Sequence, residues 1–214
     1  MRQIKSGQIR SSFIAPFSLS QMEDSIRAFI AVELDQDLRT ALGEIQKDLR
    51  KTGADVKWVK PDNIHLTLKF LGQTSLKKID AIIQIMQSCV KSNHAFSIEP
   101  VHLGAFPRIE NPQVIWLGIE NGKQDLLQIA SCLDEKLTDC GFERENRAFQ
   151  AHMTLGRLRS SLNKLALTKA IKNFSYPKTI RQPVRSVSLI KSTLTPQGPI
   201  YETITNVPLL ISKE

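Results

Sequence analysis

His65-Leu66-Thr67-Leu68 recurs in the second half of the chain as His152-Met153-Thr154-Leu155. The 214 residues include four histidines, and each copy of the motif begins with one of them. Both copies lie in short apolar stretches, which predict strands over residues 64–71 and 148–158. Residues i and i+2 of a strand point to the same face, so each histidine shares a face with its threonine while the leucines and Met153 point into the core.

The remaining sequence alternates between apolar strand patterns and amphipathic helix patterns. Further strands are predicted over residues 25–34, 56–59, 96–106, 113–119, 184–194 and 201–210. Helices are predicted over residues 35–51, 75–91, 124–140 and 162–173. In each half a strand leads to a helix and then to the strand that carries the motif, which indicates a duplication of about half the chain. No low-complexity segment or long linker divides the halves, so a single bilobal α+β domain is expected.

The first 21 residues differ from the rest of the chain. They contain basic residues and several serines but no acid, and their short apolar patch is broken by Pro16. This pattern does not favour a secretory signal. We expect residues 1–21 to be an extension outside the fold and residues 22–214 to form the domain.

Charge and cysteine content indicate which partners and which redox compartment to expect for the protein. The formal net charge of +8 favours an anionic partner such as a nucleic acid, although a solvated basic surface explains the charge equally well. The odd set of cysteines, Cys89, Cys132 and Cys140, contains no C-x-x-C and favours free core thiols in a reducing cytosol over a disulfide framework. No apolar run is long enough to span a bilayer. A cytoplasmic monomer without membrane contact is expected.

The two His/Thr faces suit chemistry at a phosphate group. If the halves pack about a pseudo-twofold axis, the faces meet across one groove, and in-line displacement at phosphorus places the attacking and leaving oxygens on opposite sides of it. One imidazole can then take a proton from water while the other gives a proton to the leaving oxygen. Thr67 and Thr154 can donate hydrogen bonds to the non-bridging oxygens, and the guanidinium of Arg157 can bind an oxyanion. The symmetry leaves open which histidine is the acid.

A purely structural role and a metal site are the two alternatives for the motifs. A half-exposed polar strand face accounts for a single His-x-Thr, but repetition in matching positions favours a functional pair. A two-histidine metal site would need further ligands, yet His94 and His102 lie at no recognised ligand spacing from the motifs and H-E-x-x-H is absent. We therefore expect no metal and no cofactor, and we expect His94 and His102 to be surface or loop residues.

The doubled His-x-Thr pattern resembles that of the two-histidine (2H) phosphoesterases. Within them, it is most similar to the RNA 2',3'-cyclic phosphodiesterases once called 2'-5' RNA ligases. The segments that carry the resemblance are Arg27–Val32, Val59–Gly72, Phe106–Pro107, Trp116–Gly118, His152–Arg157 and Leu194–Glu202. The similarity extends from about residue 26 to the end of the chain.

The resemblance implies both a fold and an activity. The fold would be a duplicated α/β module with two antiparallel-rich sheets that form a central cleft. The activity would be metal-independent hydrolysis of an RNA terminal 2',3'-cyclic phosphate to a 2'-phosphate end, with His65 as proton donor to the leaving 3'-oxygen and His152 as the base that activates water. The partner would be RNA with such ends, tRNA fragments included. There are two alternatives. One is a 2'-5' RNA ligase, which would use the same site in reverse with an RNA 5'-hydroxyl in place of water. The other is a non-catalytic RNA-end binding protein.

Residues near the motifs are further candidates for RNA contacts. Phe149 is the preferred stacking residue, because Trp58 and Phe70 are expected to fill the core. Four cations could meet the RNA backbone: Lys60, Lys69, Arg108 and Arg159. Each of these is individually typical of a solvated charge, but Lys69 joins Arg157 and Phe149 as a predicted substrate-binding residue.

Overall fold

The computed structural model describes residues 24–175 and 180–211. The strands of this part are β1 (Ser25–Glu33), β2 (Val56–Trp58), β3 (His65–Ser75), β4 (Phe96–Arg108), β5 (Asn111–Asn121), β6 (His152–Leu158), β7 (Gln182–Val184), β8 (Ser186–Thr195) and β9 (Gly198–Pro208). The helices of this part are α1 (Gln36–Arg50), α2 (Ile79–Val90), α3 (Lys123–Asp139) and α4 (Lys164–Lys172), with 3-10 turns at Pro61–Asn63 and Leu76–Lys78. The expected extension over residues 1–21 lies outside the described residues.

The local sequence accounts for most of these boundaries. Asp35 caps α1 as predicted, because its carboxylate accepts a hydrogen bond from the Leu38 N–H at 2.9 Å. β3 continues to Ser75 instead of ending at Gly72, since Gly72 adopts a positive φ of 65° beside an irregularity in the pairing with β1. The short strand β7 was not predicted from the sequence.

The described strands form one curled antiparallel sheet in the order β7-β4-β5-β6-β3-β1-β8-β9, with β2 paired to β6. All four helices contribute apolar side chains to a core on one face of this sheet, and the apolar residues of both motifs are buried in that core. The other face, which we call the open face, carries the half-buried side chains of His65, Thr67, His152 and Thr154. The α+β class is confirmed, and the two expected sheets are joined edge to edge into a single one.

The join between the two groups of strands, β9-β8-β1-β3 and β7-β4-β5-β6 with β2, lies inside the motifs. In the described part of the chain, β3 and β6 pair at a single position, Leu66 with Met153, which are the middle residues of the two His-x-Thr triplets. Both side chains are fully buried. In an antiparallel pair this register sets each histidine opposite the threonine of the other motif, so the four polar side chains surround one point on the open face.

Each motif ends in a β-bulge at its leucine. Ile30 of β1 pairs with Lys69 while Ala31 pairs with Thr67, so Leu68 is the extra residue. The same shift occurs in β6, where the neighbouring residues Ile115 and Trp116 of β5 pair with Gly156 and Thr154 and leave Leu155 as the extra residue. A bulge inverts the alternation of side chains beyond it. Residues five positions after each histidine therefore return to the open face.

The bulge at Leu68 overturns two expectations for β3. Lys69 was expected to bind substrate, but it is 2% exposed and points into the core side of the sheet. Phe70 was expected to fill the core, but it is 60% exposed and its ring lies 6.3 Å from that of Phe29. Phe29 belongs to a small apolar cluster on the open face that also contains Ala31, Ile190 and Tyr201. Strict alternation predicts the opposite placement for both residues, and the extra residue reverses it.

Lys69 instead connects the first motif to the segment that precedes the second. Its ammonium group donates to Asp134 Oδ1 of α3 at 2.6 Å and to the Glu143 carbonyl at 2.5 Å. The same carboxylate oxygen accepts the backbone N–H of Glu145. Burial raises the pKa of Asp134, but the hydrogen bonds from Lys69 and from the Glu145 N–H outweigh it, and the pKa lies below its usual range. Lys69 is thus a structural residue that anchors residues 143–145.

A buried glutamine of α1 supports the second bulge in a similar way. Gln46 is 3% exposed, and its amide donates to the Leu155 carbonyl at 2.8 Å and to the Val59 carbonyl at 2.7 Å. The backbone N–H of Val59 also binds the Leu155 carbonyl. The carbonyl of the bulged residue therefore has two donors from the first half of the chain, which satisfies a group that the sheet leaves unpaired.

The expectation of three free thiols is wrong. Cys89 of α2 and Cys132 of α3 form a disulfide, and Cys140 is free and exposed. The two helices pack side by side on the core face of the sheet, which brings cysteines far apart in sequence to a Cα separation of 5.7 Å. That proximity is a tertiary property that cysteine spacing does not reveal.

Within the described residues, no helix is long and apolar enough to cross a membrane.

We predict that Asp134→Asn lowers the free energy of unfolding by about 3 kcal/mol, because the buried ammonium group of Lys69 keeps only the half-exposed Glu145 carboxylate, 3.7 Å away, as a counter-charge. Urea denaturation followed by circular dichroism measures the change. Asp48→Asn is the matched control, since the Lys51–Asp48 ion pair has the same 2.6 Å separation but is exposed. The control is expected to leave the urea midpoint unchanged. Equal effects of the two substitutions would contradict a structural role for Lys69.

Candidate active site

The two motif histidines are held in the same way. His65 Nδ1 lies 2.9 Å from the Asn63 carbonyl, and His152 Nδ1 lies 2.6 Å from the Gln150 carbonyl. A carbonyl oxygen accepts hydrogen bonds but cannot donate them, so Nδ1 carries the proton in each ring. Nε2 is then the nitrogen that is free to exchange a proton with a bound group, in both halves.

Aromatic rings fix the planes of both imidazoles. His65 stacks on Phe29 with ring centroids 4.5 Å apart, and the edge of Tyr201 meets it at 5.2 Å. His152 meets Phe106 edge-on at 5.0 Å and Trp116 at 6.1 Å. Phe29, Tyr201 and Trp116 are themselves largely or partly buried, so each imidazole has little freedom to turn away from the open face.

The two sites differ in the residue that faces each histidine from the neighbouring strand. His65 pairs across strands with Glu33 of β1, whereas His152 pairs with Gly118 of β5. Glu33 accepts a hydrogen bond from the Thr203 hydroxyl at 2.9 Å, which fixes the carboxylate. A negative charge therefore stands beside one histidine, and its counterpart in the other half has no side chain.

Neighbouring charges also act differently on the pKa values of the two histidines. Burial is the largest influence on the pKa of His65 and lowers it, and a charge on His152 lowers it further. The hydrogen bond to the Asn63 carbonyl and the carboxylate of Glu33 both raise this pKa. Burial also lowers the pKa of His152; the bond to the Gln150 carbonyl raises it and the guanidinium of Arg157 lowers it. Both pKa values are held below the ordinary range, but Glu33 favours protonated His65 and Arg157 favours neutral His152.

Arg157 lies on the open face because of the bulge at Leu155. Its side chain is exposed, and its charge acts on both His152 and the hydroxyl of Tyr201. Arg27 of β1 acts on the same hydroxyl. Burial raises the pKa of Tyr201, and the two arginines oppose that rise. Two guanidinium charges thus act on the tyrosine that borders His65.

The remaining residues that were considered for RNA contacts differ in their burial. Phe149 is half-buried and packs against the main core, and its stacking role stays a prediction. Trp58 packs against the core as expected, beneath the guanidinium of Arg50. Lys60, Arg108 and Arg159 are exposed.

A cavity adjoins His65 on the side away from His152. Its volume is about 280 Å³. It is lined by Glu33, Arg39, Asp62, Asn63, Ile64, His65, Ile190, Tyr201 and Thr203. Most of these side chains are polar, so the cavity suits a ligand with several hydrogen-bonding groups.

Several site residues were not predicted from the sequence. Arg27, Phe29 and Glu33 alternate along β1, so the i, i+2 rule places them on one face, and pairing with the motif strand makes that the open face. Tyr201 and His102 reach the site through the register of more distant strands, for which the sequence carries no local signal. His102 is exposed, as expected, but it belongs to β4 on the open face and is not in a loop.

Among the described residues, no group of three or more His, Cys, Asp or Glu side chains is placed to hold a metal ion. The chemistry that these side chains offer is proton transfer by two imidazoles, with hydroxyl and guanidinium donors around them.

Comparison with known proteins gives the family of this arrangement. The family model described as "LigT like Phosphoesterase" matches the chain twice, over residues 32–116 and 117–201, which confirms the duplication. A relative named RNA 2',3'-cyclic phosphodiesterase from Methanothermobacter thermautotrophicus is 35% identical over 176 residues, which is 82% of this chain and 95% of the relative. A relative of the same name from Thermotoga maritima is 34% identical and covers 84% of this chain and 93% of its own length.

Solved structures show the same fold. The apo form of Escherichia coli LigT superposes with a TM-score of 0.72 at 24% identity, covering 87% of this chain and 99% of that one. A Thermus thermophilus protein, TT0787, superposes with a TM-score of 0.71 at 24% identity, covering 86% and 98% of the two chains. With its doubled family match and its relatives above 30% identity, this chain belongs to the LigT-like phosphoesterases, the 2H phosphoesterase family that its paired motifs resemble.

Proposed function

We propose that this protein is an RNA 2',3'-cyclic phosphodiesterase that hydrolyses the terminal cyclic phosphate to a 2'-phosphomonoester without a metal ion. The observation that carries the proposal is the crossed arrangement of the motifs, which sets two imidazoles with free Nε2 atoms and two threonines around one point. The names of the relatives supply the substrate class.

The reaction needs one proton taken and one given. His152 accepts a proton at Nε2 from water while the water oxygen attacks phosphorus, and the bond from phosphorus to the 3'-oxygen breaks. His65 gives its Nε2 proton to that oxygen, which leaves a 3'-hydroxyl and a 2'-phosphate. Diagonal neighbours in an antiparallel pair are roughly 7–8 Å apart, a separation that fits one phosphate between the two rings.

Three donors can stabilise the pentavalent phosphate. Thr67 and Thr154 share the open face with the histidines, so their hydroxyls can donate to the two non-bridging oxygens. Arg157 adds a positive charge on the same face. Donors that are already oriented gain strength as charge develops in the transition state, and each typically contributes a few kcal/mol.

The charges beside the rings support the assignment of roles. The carboxylate of Glu33 stabilises the protonated form of His65, which suits a proton donor. Arg157 stabilises the neutral form of His152, which suits a base. His65 therefore protonates the 3'-oxygen, and the terminal nucleoside lies on the His65 side, next to the polar cavity.

Ligation is a second function for the same site. An RNA 5'-hydroxyl in place of water would give a 2'-5' linkage by the same proton transfers. A non-catalytic RNA-end binding protein is less well supported, because binding alone requires neither free Nε2 atom. A cytoplasmic monomer made of residues 22–214, with tRNA fragments among its substrates, stays a prediction.

The first test is product analysis with an oligonucleotide that ends in a 2',3'-cyclic phosphate, in excess chelator. We expect a 2'-phosphomonoester as the product. His65→Ala and His152→Ala are each expected to lower kcat by about 10²–10⁴, since each removes one proton-transfer group, while RNA binding largely survives.

His94→Ala is the matched control, because His94 lies outside the open face and pairs in an isolated bridge with Leu210. Loss of turnover in chelator would exclude the metal-free mechanism. Near-wild-type rates for either motif variant would exclude the acid/base pair.

The pH dependence tests the electrostatic difference between the halves. We expect a bell-shaped profile of kcat/KM, with the alkaline limb set by loss of the His65 proton and the acidic limb by protonation of His152. Glu33→Gln removes a charge that raises the pKa of His65, so the alkaline limb should move to lower pH while the acidic limb stays in place. The glutamine keeps an oxygen acceptor for Thr203.

Glu202→Gln is the control for this shift, because it removes the same charge from an exposed ion pair with Lys191. Its profile should match the wild type. The assigned roles would be contradicted if the acidic limb moved in Glu33→Gln, or if the alkaline limb stayed in place.

A further inference from the structure

His102 lies on the open face in the same row across the sheet as His152. It is opposite Gly118 in the pairing of β4 with β5, and Gly118 is opposite His152 in the pairing of β5 with β6. The three residues therefore form a row across the sheet. Neighbouring strands lie about 4.8 Å apart, so the Cα atoms of His102 and His152 are separated by roughly 10 Å.

The imidazole of His102 leans over Gly118 towards His152. A Cβ atom at Gly118 would lie 2.9 Å from both Cε1 and Nε2 of His102, so any larger residue would push the ring away. Trp116 holds the ring from the side, with centroids 5.6 Å apart. The indole in turn occupies the space above Gly104, where a Cβ atom would overlap it. The ring is positioned by its neighbours and remains exposed to solvent.

The direction of the reaction gives this row a role. In-line displacement puts the leaving 3'-oxygen on the His65 side of phosphorus and the entering oxygen on the His152 side. His102 is two strands from His152 on the side away from β3 and His65, which is the side of the entering group. Water is too small to reach from His152 to His102, whereas a nucleotide chain whose 5'-hydroxyl enters at His152 continues along this row.

We propose that His102 is part of a binding subsite for the RNA segment that supplies or receives the 5'-hydroxyl, and that its imidazole donates a hydrogen bond to the first phosphate of that segment. The inference rests on the proposed function. His102 thus differs from the catalytic pair, because it binds an RNA segment that takes no part in hydrolysis of a cyclic end.

The test compares three substrates in the wild type, in His102→Ala and in the control His94→Ala. The first is a nucleoside 2',3'-cyclic phosphate. The second is a 2'-5'-linked dinucleoside monophosphate, and the third is the same dinucleotide with an added phosphate on the 3'-oxygen of its second nucleoside. Cleavage of the linked substrates is the reverse of 2'-5' joining: the 3'-hydroxyl attacks phosphorus, the 5'-oxygen leaves with a proton from His152, and His65 takes the proton of the 3'-hydroxyl.

We expect His102→Ala to lower kcat/KM about tenfold for the third substrate, mainly through KM, and to stay within about twofold of wild type for the other two. His94→Ala should leave all three unchanged. Equal losses on all substrates, a loss on the unphosphorylated dinucleotide, or no loss would each overturn the subsite. A wild type that hydrolyses the cyclic phosphate but does not cleave linked dinucleotides would also overturn it, whereas failure on the cyclic phosphate would overturn the proposed function instead.

Discussion

The pairing of Leu66 with Met153 is the contact on which the site depends. It joins two antiparallel groups of strands at one position, and that position is the centre of both motifs. Because the strands run in opposite directions, one backbone register sets the positions of four polar side chains at once. A slip by one residue in either strand would turn its histidine and threonine into the core. The burial of both central side chains opposes such a slip.

The approximate symmetry of this site is broken by its neighbours. The leucine after each threonine is a bulge in both halves, and the two bulges present unlike residues: an exposed phenylalanine at position 70 and an arginine at position 157. The strand next to each motif adds a carboxylate in one half and a glycine in the other. A duplicated scaffold thus supplies two equivalent imidazoles, and substitutions on the surrounding strands give them different tasks.

The sequence was sufficient to predict the part of the site that depends on local periodicity. His65, Thr67, His152 and Thr154 obey the two-residue repeat, and their placement on one face was predicted from it. Lys69 and Phe70 were misplaced because a bulge depends on how two strands pair, which the motif itself does not specify.

Other features depend on contacts between distant segments. Glu33 and Tyr201 reach His65 through strand pairing, and the Cys89–Cys132 disulfide requires two helices to lie side by side. Arg157 was predicted near the phosphate from its position after Thr154, but strict alternation from that threonine would have put it on the core face. The bulge at Leu155 is the physical reason that it lies on the open face.

The division of labour between the histidines is tested most directly with a nucleoside 2'-(4-nitrophenyl phosphate). Here the 3'-hydroxyl attacks on the His65 side, and nitrophenolate, which needs no proton to leave, departs on the His152 side. We predict that His152→Ala retains release of nitrophenolate within about tenfold of wild type, whereas His65→Ala loses about 10²–10⁴ because it lacks the base. Retention of activity by His65→Ala with loss in His152→Ala would contradict the assigned roles.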